Sequence, residues 1–284
     1  MNDPQSSQDS LDWSQDMVRS TLPTRAQDSY KGVFGTALLV AGGPDMPGAA
    51  LISGLGALTS GVGKLEIGTY RETIRSIAHA AAEATYVPDA LIHIANGTHS
   101  LSSYKAIACG PGTVPDALTE AAIDSLLKSS APLILDAGAL SERSYANRSA
   151  PLILTPHAGE FSRISGYSME QIGGSPGACA SAFAMEHNLT IVLKGPRTTI
   201  AFPDGELFRN TTGNAALAKG GTGDMLTGMM LGMLCCHENW RHAVLNAVYL
   251  HGACADEFIK TRSPHTMLAH DIAGLLPEVW KQYE

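Results

Sequence analysis

Aromatic residues are scarce in this 284-residue chain, at 6%, and basic residues are outnumbered, 19 Lys and Arg against 27 Asp and Glu. A formal net charge of −8 excludes a general attraction for nucleic acid or an acidic membrane surface. So few rings also leave single-stranded nucleic acid no stacking platform. Any anionic ligand has to be held by local donors. Cysteine is sparse as well, five residues with Cys235 and Cys236 adjacent, a poor disulfide framework that points to a reducing, cytoplasmic setting. No apolar run approaches the ~20 residues that a membrane helix needs. The opening stretch, MNDPQSSQDSLDWSQD, is acidic and polar, where a signal peptide would be basic and then apolar. A soluble protein is expected. No long linker, repeat or low-complexity tract divides the chain, so residues 26–284 read as one domain able to bury a substantial core. Residues 1–25 read as a flexible N-terminal segment.

What is plentiful is small and apolar: 44% hydrophobic residues and 29 glycines, which suits helices packed closely on a sheet. Short apolar runs at 36–41, 64–69, 105–109, 132–135, 151–154 and 190–193 mostly end in glycine, proline or polar residues, and read as buried parallel strands. Helices are expected at 47–61, with Pro47 near the start, and at 114–129, 160–165 and 175–187. Residues 199–209, turning at Asp204-Gly205, read as a hairpin. Helices at 225–235, 240–260 and 267–282 complete the chain. The alternation implies an α/β fold with a mainly parallel central sheet and helices on both faces. Ligands bind such sheets at the carboxyl edge, where these polar and glycine turns would gather.

The sharpest chemical signal is at 213–230, GNAALAKGGTGDMLTGMM. Glycines and a threonine open an apolar helix whose first N–H groups lack partners, and glycine lets a phosphate approach them. Asp224, inside that turn, would repel a phosphate unless it had work in the reaction, such as taking a proton from a hydroxyl. The pairing suggests phosphoryl transfer with Asp224 as base; the alternative is a helix-capping carboxylate worth about 1 kcal/mol. Gly221 and Gly223 would let backbone N–H groups hold the transferred phosphate, or form an ordinary turn. Lys194, Arg197 and the Thr198 hydroxyl would be donors to a nucleotide's phosphates, or a solvated hairpin end. His157 could donate to a ligand, and Glu160 could join it or merely start the next helix. Cys235-Cys236-His237 reads as core packing, because adjacent helical residues cannot all face one ion. The other histidines, His251 among them, read as structural.

Taken together, GGPDMPGAA at 42–50, ACGPG at 108–112, LILDAGAL at 133–140, LTPHAGEF at 154–161, LKGPRT at 193–198 and NAALAKGGTGDMLTG at 214–228 closely resemble the NAD(P)H-hydrate dehydratases of the ribokinase-like superfamily. The resemblance runs in order over nearly all of residues 30–280. It implies a ribokinase-like fold and a repair reaction: the hydroxyl of hydrated NADH or NADPH (NADHX, NADPHX) is phosphorylated, and loss of phosphate restores the reduced nicotinamide. Stand-alone bacterial forms use ADP and release AMP and phosphate; the chain is too short for the epimerase domain fused to many relatives, so it resembles that type, acting on the S form. Also implied are Mg²⁺ arriving with the nucleotide rather than in a dedicated cage, and a homo-oligomer, a tetramer. The resemblance assigns Ala49, Gly112, His157 and Asp224 to the substrate. It assigns Lys194, Gly195, Pro196, Arg197 and Thr198, with Gly223, to the nucleotide. On bottom-up grounds Ala49 and Gly112 say only that backbone approaches something closely. Tyr30 stands where the family commonly has histidine, and Gly138 and Ser141 where it often has Asp and Asn; the Asp136 loop is kept out of the catalytic set on that account. Two other readings are a small-molecule kinase of the same fold, with less reason to keep TPHAGE, and a non-catalytic nucleotide sensor.

Overall fold

In the computed structural model, which describes residues 10–145 and 148–284, the chain starts with β1 (Leu11–Trp13) and α1 (Gln15–Thr21). Next come β2 (Thr36–Val40), α2 (Pro47–Leu58), β3 (Lys64–Thr69), α3 (Arg71–Ile77), β4 (Thr85–Pro88) and α4 (Ala90–Ala95). The middle holds β5 (Ala106–Cys109), α5 (Ala117–Leu126), β6 (Leu133–Leu135), β7 (Leu152–Leu154), α6 (Ala158–Ser165), α7 (Met169–Gly174), α8 (Pro176–His187) and β8 (Thr190–Leu193). Last are β9 (Thr199–Ala201), β10 (Leu207–Asn210), α9 (Thr222–Cys236), α10 (Trp240–Phe258) and α11 (Ala269–Lys281).

All ten strands form one sheet in the order β1-β10-β9-β8-β7-β6-β5-β2-β3-β4. From β8 to β4 every pairing is parallel, and β9 runs against both β8 and β10 as the expected hairpin. The chain builds outward from β2 through β3 to β4, then returns to the other side of β2 with β5. That reversal opens a crevice between β2 and β5 at the carboxyl edge. Central strands are apolar throughout because both faces are covered. Ala37, Leu39, Ala106 and Ala108 meet residues of α2, α9, α10 and α11, whereas Leu38, Val40, Ile107 and Cys109 meet those of α4, α5, α6 and α8.

One helix contact matters most for the site. A Cβ on Gly228 of α9 would fall 2.7 Å from the Ser53 carbonyl carbon of α2, and one on Gly232 would fall 2.6 Å from the Ala57 oxygen. The two backbones therefore touch without side chains between them, side by side in the same direction. Van der Waals contact over two turns fixes where α9 begins relative to α2.

The flexible segment expected over residues 1–25 is corrected for residues 11–21. β1 pairs in parallel with β10, and Arg209 Nη2 lies 2.8 Å from Asp12. Trp13 is 6% exposed, with Nε1 donating to Asn246 Oδ1 at 3.0 Å. Ser14 caps α1 by accepting from Met17 N at 3.3 Å, and Val18 is buried. The polar residues that suggest a loose tail belong to the outer face of an edge strand and to a cap. Residues 1–9 lie outside the described residues. Four further elements, α3, β4, α4 and α7, have no counterpart in the sequence reading. They are short, and β4 is a sheet edge with no buried residue, so periodicity is too weak to mark them. Among the described residues no helix is long and apolar enough to cross a membrane.

Candidate active site

Lys194 leaves β8 and turns across the carboxyl edge, where its Nζ donates to Asp136 Oδ1 at 2.8 Å and lies 3.9 Å from Glu160 Oε2. Asp136, just beyond β6, is 1% exposed, and its second oxygen accepts from Thr227 Oγ1 at 2.7 Å. Thr227 follows Asp224 by three residues on α9, so the two share a helix face. The TPH and KGP segments converge because β7 and β8 continue to pair beyond their ends: His157 bridges Lys194, and Lys194 N donates to Pro156 O at 2.8 Å.

Helix α9 starts after Gly221, whose φ of +89° is a left-handed conformation that glycine adopts without strain. Thr222 Oγ1 donates to Leu217 O and Lys219 O, both at 2.9 Å, winding the preceding turn tightly. Among the described residues the N–H groups of Gly223 and Asp224 have no backbone carbonyl partner, as the first turn of a helix dictates. A Cβ on Gly223 would lie 3.3 Å from Lys194 Nζ, so the ammonium packs against this first turn.

The Asp224 carboxylate has no hydrogen bond to another described residue, which disfavours the capping alternative. Burial first, then the negative charges of Asp136 and Glu160, push its pKa up to about 6, against a smaller opposing pull from Lys194. For Lys194, burial works to lower the pKa, but Asp136, Glu160 and Asp224 outweigh it and the net shift is upward. The lysine is therefore a fixed positive charge. His251, on α10, is buried with Nε2 2.9 Å from Thr222 O. Burial pushes its pKa down to about 4, so a neutral ring donates Nε2–H to the turn.

Beside this turn is a cavity of about 560 Å³ lined by Lys194, Gly195, Pro196, Thr198, Thr222 and Gly223, with the loop after β10 and His251 opposite. Asp256 pins that loop, accepting from Gly213 N at 2.9 Å and Asn214 Nδ2 at 2.8 Å. Five of the six residues expected at a nucleotide thus meet at one cavity. Arg197 does not line it and is exposed.

Ala49 and Gly112 meet across the crevice between β2 and β5. Gly112 has φ +68°, and a Cβ there would fall 2.6 Å from Ala49 Cβ. With Ser53 against Gly228 and Ala57 against Gly232, the same register one turn nearer the N-termini brings Ala49 level with Asp224. His157 Nδ1 accepts from Gly159 N at 3.0 Å and Glu160 N at 3.2 Å, which leaves the proton on Nε2. The side chain is 61% exposed and Nε2 lies 3.6 Å from Glu160 Oε1, so that donor stands between solvent and this carboxylate. Glu160 accepts from His157 N at 2.8 Å; it both starts α6 and stands beside Lys194.

The sequence reading passes over Asp136 and the role of His251 in the turn. The signal for Asp136 is present, an apolar strand ending in a carboxylate at the binding edge, but is discounted because its loop departs from the family pattern. Cys235 is buried and Cys236 lies 3.6 Å from Ser60 O, consistent with packing. Among the described residues no group of three or more His, Cys, Asp or Glu could hold a metal ion.

A sheet so covered, with a glycine-rich helix start, a lysine and a buried carboxylate gathered at its carboxyl edge, is that of a ribokinase-like α/β protein. The structure of a ribokinase-like superfamily protein from Enterococcus faecalis is similar at TM-score 0.84 and 29% identity, covering 96% of both chains. The model of the NAD(P)H-hydrate dehydratase family matches residues 37–278, and the chain belongs to that family. It is 52% identical over 272 residues to the ADP-dependent (S)-NAD(P)H-hydrate dehydratase of Bacillus subtilis, covering 96% of this chain and 98% of that one. The crystal structure of the Bacillus subtilis ADP/ATP-dependent NAD(P)H-hydrate dehydratase co-crystallized with ATP and Mg²⁺ matches at TM-score 0.95 and 51% identity, covering 98% of this chain and 100% of that one.

Proposed function

We propose that this chain repairs hydrated nicotinamide cofactors, converting the S form of NADHX or NADPHX to NADH or NADPH while ADP becomes AMP and phosphate. The observation that carries this reading is the carboxylate of Asp224, free of hydrogen bonds to described residues, at the start of a helix whose first N–H groups lack backbone partners and against which Lys194 Nζ packs. ADP occupies the cavity at Lys194, Gly195, Pro196, Thr198 and Gly223, with Arg197 closing over its phosphates from the exposed end of the loop. The hydrated nicotinamide lies in the crevice at Ala49 and Gly112, with His157 Nε2–H as a donor to it. Asp224 takes the proton from the substrate hydroxyl as that oxygen attacks the terminal phosphorus of ADP. The Gly223 and Asp224 N–H groups and Lys194 hold the charge that develops on the phosphoryl oxygens, where one well-aimed donor is worth about 3 kcal/mol. Phosphate then leaves from the ring carbon while the adjacent ring carbon gives up a proton to solvent, and that electron pair restores the double bond of the reduced nicotinamide.

The donors near the loop suit an ion carried by phosphate and water more than one caged by side chains, since Asp136 already bonds through both oxygens. Mg²⁺ bound to the nucleotide would neutralise its phosphate charge. The five unpaired cysteines support a cytoplasmic location, and the family resemblance supports a homo-oligomer, a tetramer. The test is incubation with ADP and hydrated NADH. Regained absorbance of reduced nicotinamide with release of AMP and phosphate is the expected result; a stable phosphorylated product would instead make the chain a small-molecule kinase.

A further inference from the structure

We infer that Asp136 is a positioning residue for this reaction, its buried carboxylate locking Lys194 against the start of α9 beside Asp224. The inference rests on the function proposed above. An ion pair that served stability alone would need one partner. Here the two oxygens are divided, Oδ1 to Lys194 at the end of β8 and Oδ2 to Thr227 in α9, so one 1%-exposed side chain ties three elements together. Thr227 is one helical turn from Asp224, and a Cβ on Gly223 would lie 3.3 Å from Lys194 Nζ. The lock therefore sets the spacing between the base and the ammonium that would hold the phosphate.

The charge acts too. Asp224 is faced by Asp136 from β6, Glu160 from α6 and Lys194 from β8, while His251 from α10 touches the turn through the Thr222 carbonyl and is neutral. Of the two carboxylates Asp136 is the deeper, its side chain 1% exposed against 15% for Glu160, and it is the larger negative influence on Asp224. With Asp136 neutral, Asp224 loses a repulsion that favours its protonated form. Lys194, released from its first partner, turns to Glu160 and Asp224. Both changes weaken Asp224 as a base.

Asp136→Asn keeps the shape and removes the charge, whereas Thr227→Val keeps the charge and cuts the tie to α9. For Asp136→Asn the expected result is a kcat lower by about 10²-fold and an acid limb of kcat/KM moved down by about one pH unit. A ¹³C NMR titration of the Asp224 carboxyl, assigned with Asp224→Asn, should move down by the same amount without any turnover being needed. Thr227→Val should lower kcat by about 10-fold with the limb unmoved. If Asp136→Asn does not fold, Thr227→Val carries the test, and a wild-type kcat in it overturns the lock. If the Asp224 titration moves as expected while the wild type does not act on the hydrate, the positioning stands and the proposed function fails. If the wild type is active and neither limb nor titration moves in Asp136→Asn, the inference is overturned and the function stands.

Discussion

Replacing Gly228 by alanine should damage both the fold and the reaction, although alanine is the better helix former. The new Cβ would lie 2.7 Å from the Ser53 carbonyl carbon, with the carbonyl oxygen nearer still, where 3.4 Å begins ordinary contact. The carbon alone asks for a displacement of about 0.7 Å, and the oxygen asks for about 1 Å or more, on the scale at which misplacement costs roughly 10²-fold in rate. The obstacle is backbone on a packed helix, so no rotamer relieves it. Overpacking of this kind costs about 3 kcal/mol at the upper end of its range. Exchange of glycine for alanine in a helix returns about 1 kcal/mol, leaving roughly 2 kcal/mol of destabilisation and a Tm lower by about 2–4 °C for each kcal/mol. Because Asp224 is one turn away on the same helix, kcat should fall by about 10²-fold. Gly274→Ala in α11 is the control. It is a helical glycine with nothing within 4 Å of a new Cβ, and should raise stability by about 0.5–1 kcal/mol with kcat unchanged. Urea unfolding and steady-state assays of both variants measure the contrast. A Gly228→Ala protein as stable and as fast as the wild type would refute the claim that the α2–α9 contact sets the site.

Four other outcomes are expected. Activity should fall below about pH 6 as Asp224, pushed up to about 6, takes on a proton and stops acting as a base; a pH–kcat/KM profile flat from pH 5 to 8 would argue against it. Asp224→Asn should lose about 10²- to 10⁴-fold in kcat yet raise Tm. The raised folded-state value means the fold favours the protonated form, so the ionised carboxylate weakens the wild type above about pH 6, and the difference between the two proteins should vanish below the ordinary value of 3.8. Lys194→Met leaves Asp136 buried without its cation and should cost about 3–5 kcal/mol in chemical unfolding. ADP binding should weaken alongside; a variant of wild-type stability would mean the pair is not the anchor. Trp13→Ala, which empties a buried edge of the core, should cost about 3–5 kcal/mol. An unchanged unfolding midpoint would return the first strand to the status of a loose tail.

The parallel core was legible because every central strand is covered on both faces and so reads as a continuous apolar run, and because β2, β5 and β8 end in glycine turns. The hairpin was legible from Asp204-Gly205. What escaped has a common physical character. β1 is three residues whose partner, β10, is almost two hundred residues away, and no local pattern announces such a pairing. Asp136 gains its meaning from Lys194 and Thr227, which only folding brings to it. Ala49 and Gly112 carry no chemistry of their own; resemblance marked them, and the structure gives a reason, since both allow α2 and the turn after β5 to touch. Arg197, a phosphate donor by residue type, is exposed and outside the cavity lining, a placement that the spacing of the loop does not encode.

The position of Asp224 sets two influences against each other. The unpartnered N–H groups of the first turn favour a carboxylate there, by about 0.3–1 kcal/mol and up to about 2 kcal/mol in partly buried sites, which would draw the pKa down. Burial and the neighbouring carboxylates draw it up, and they prevail, since the value reaches about 6. A base at that level is still mostly ionised at neutral pH, yet binds a proton far more readily than an ordinary aspartate, as efficient general-base catalysis requires. The same N–H groups remain unfilled by the side chain beside them, because it makes no cap. Under the proposed reaction they would be kept for the phosphoryl group, and Asp224, the residue best placed to occupy them, would serve instead as proton acceptor for the attacking hydroxyl.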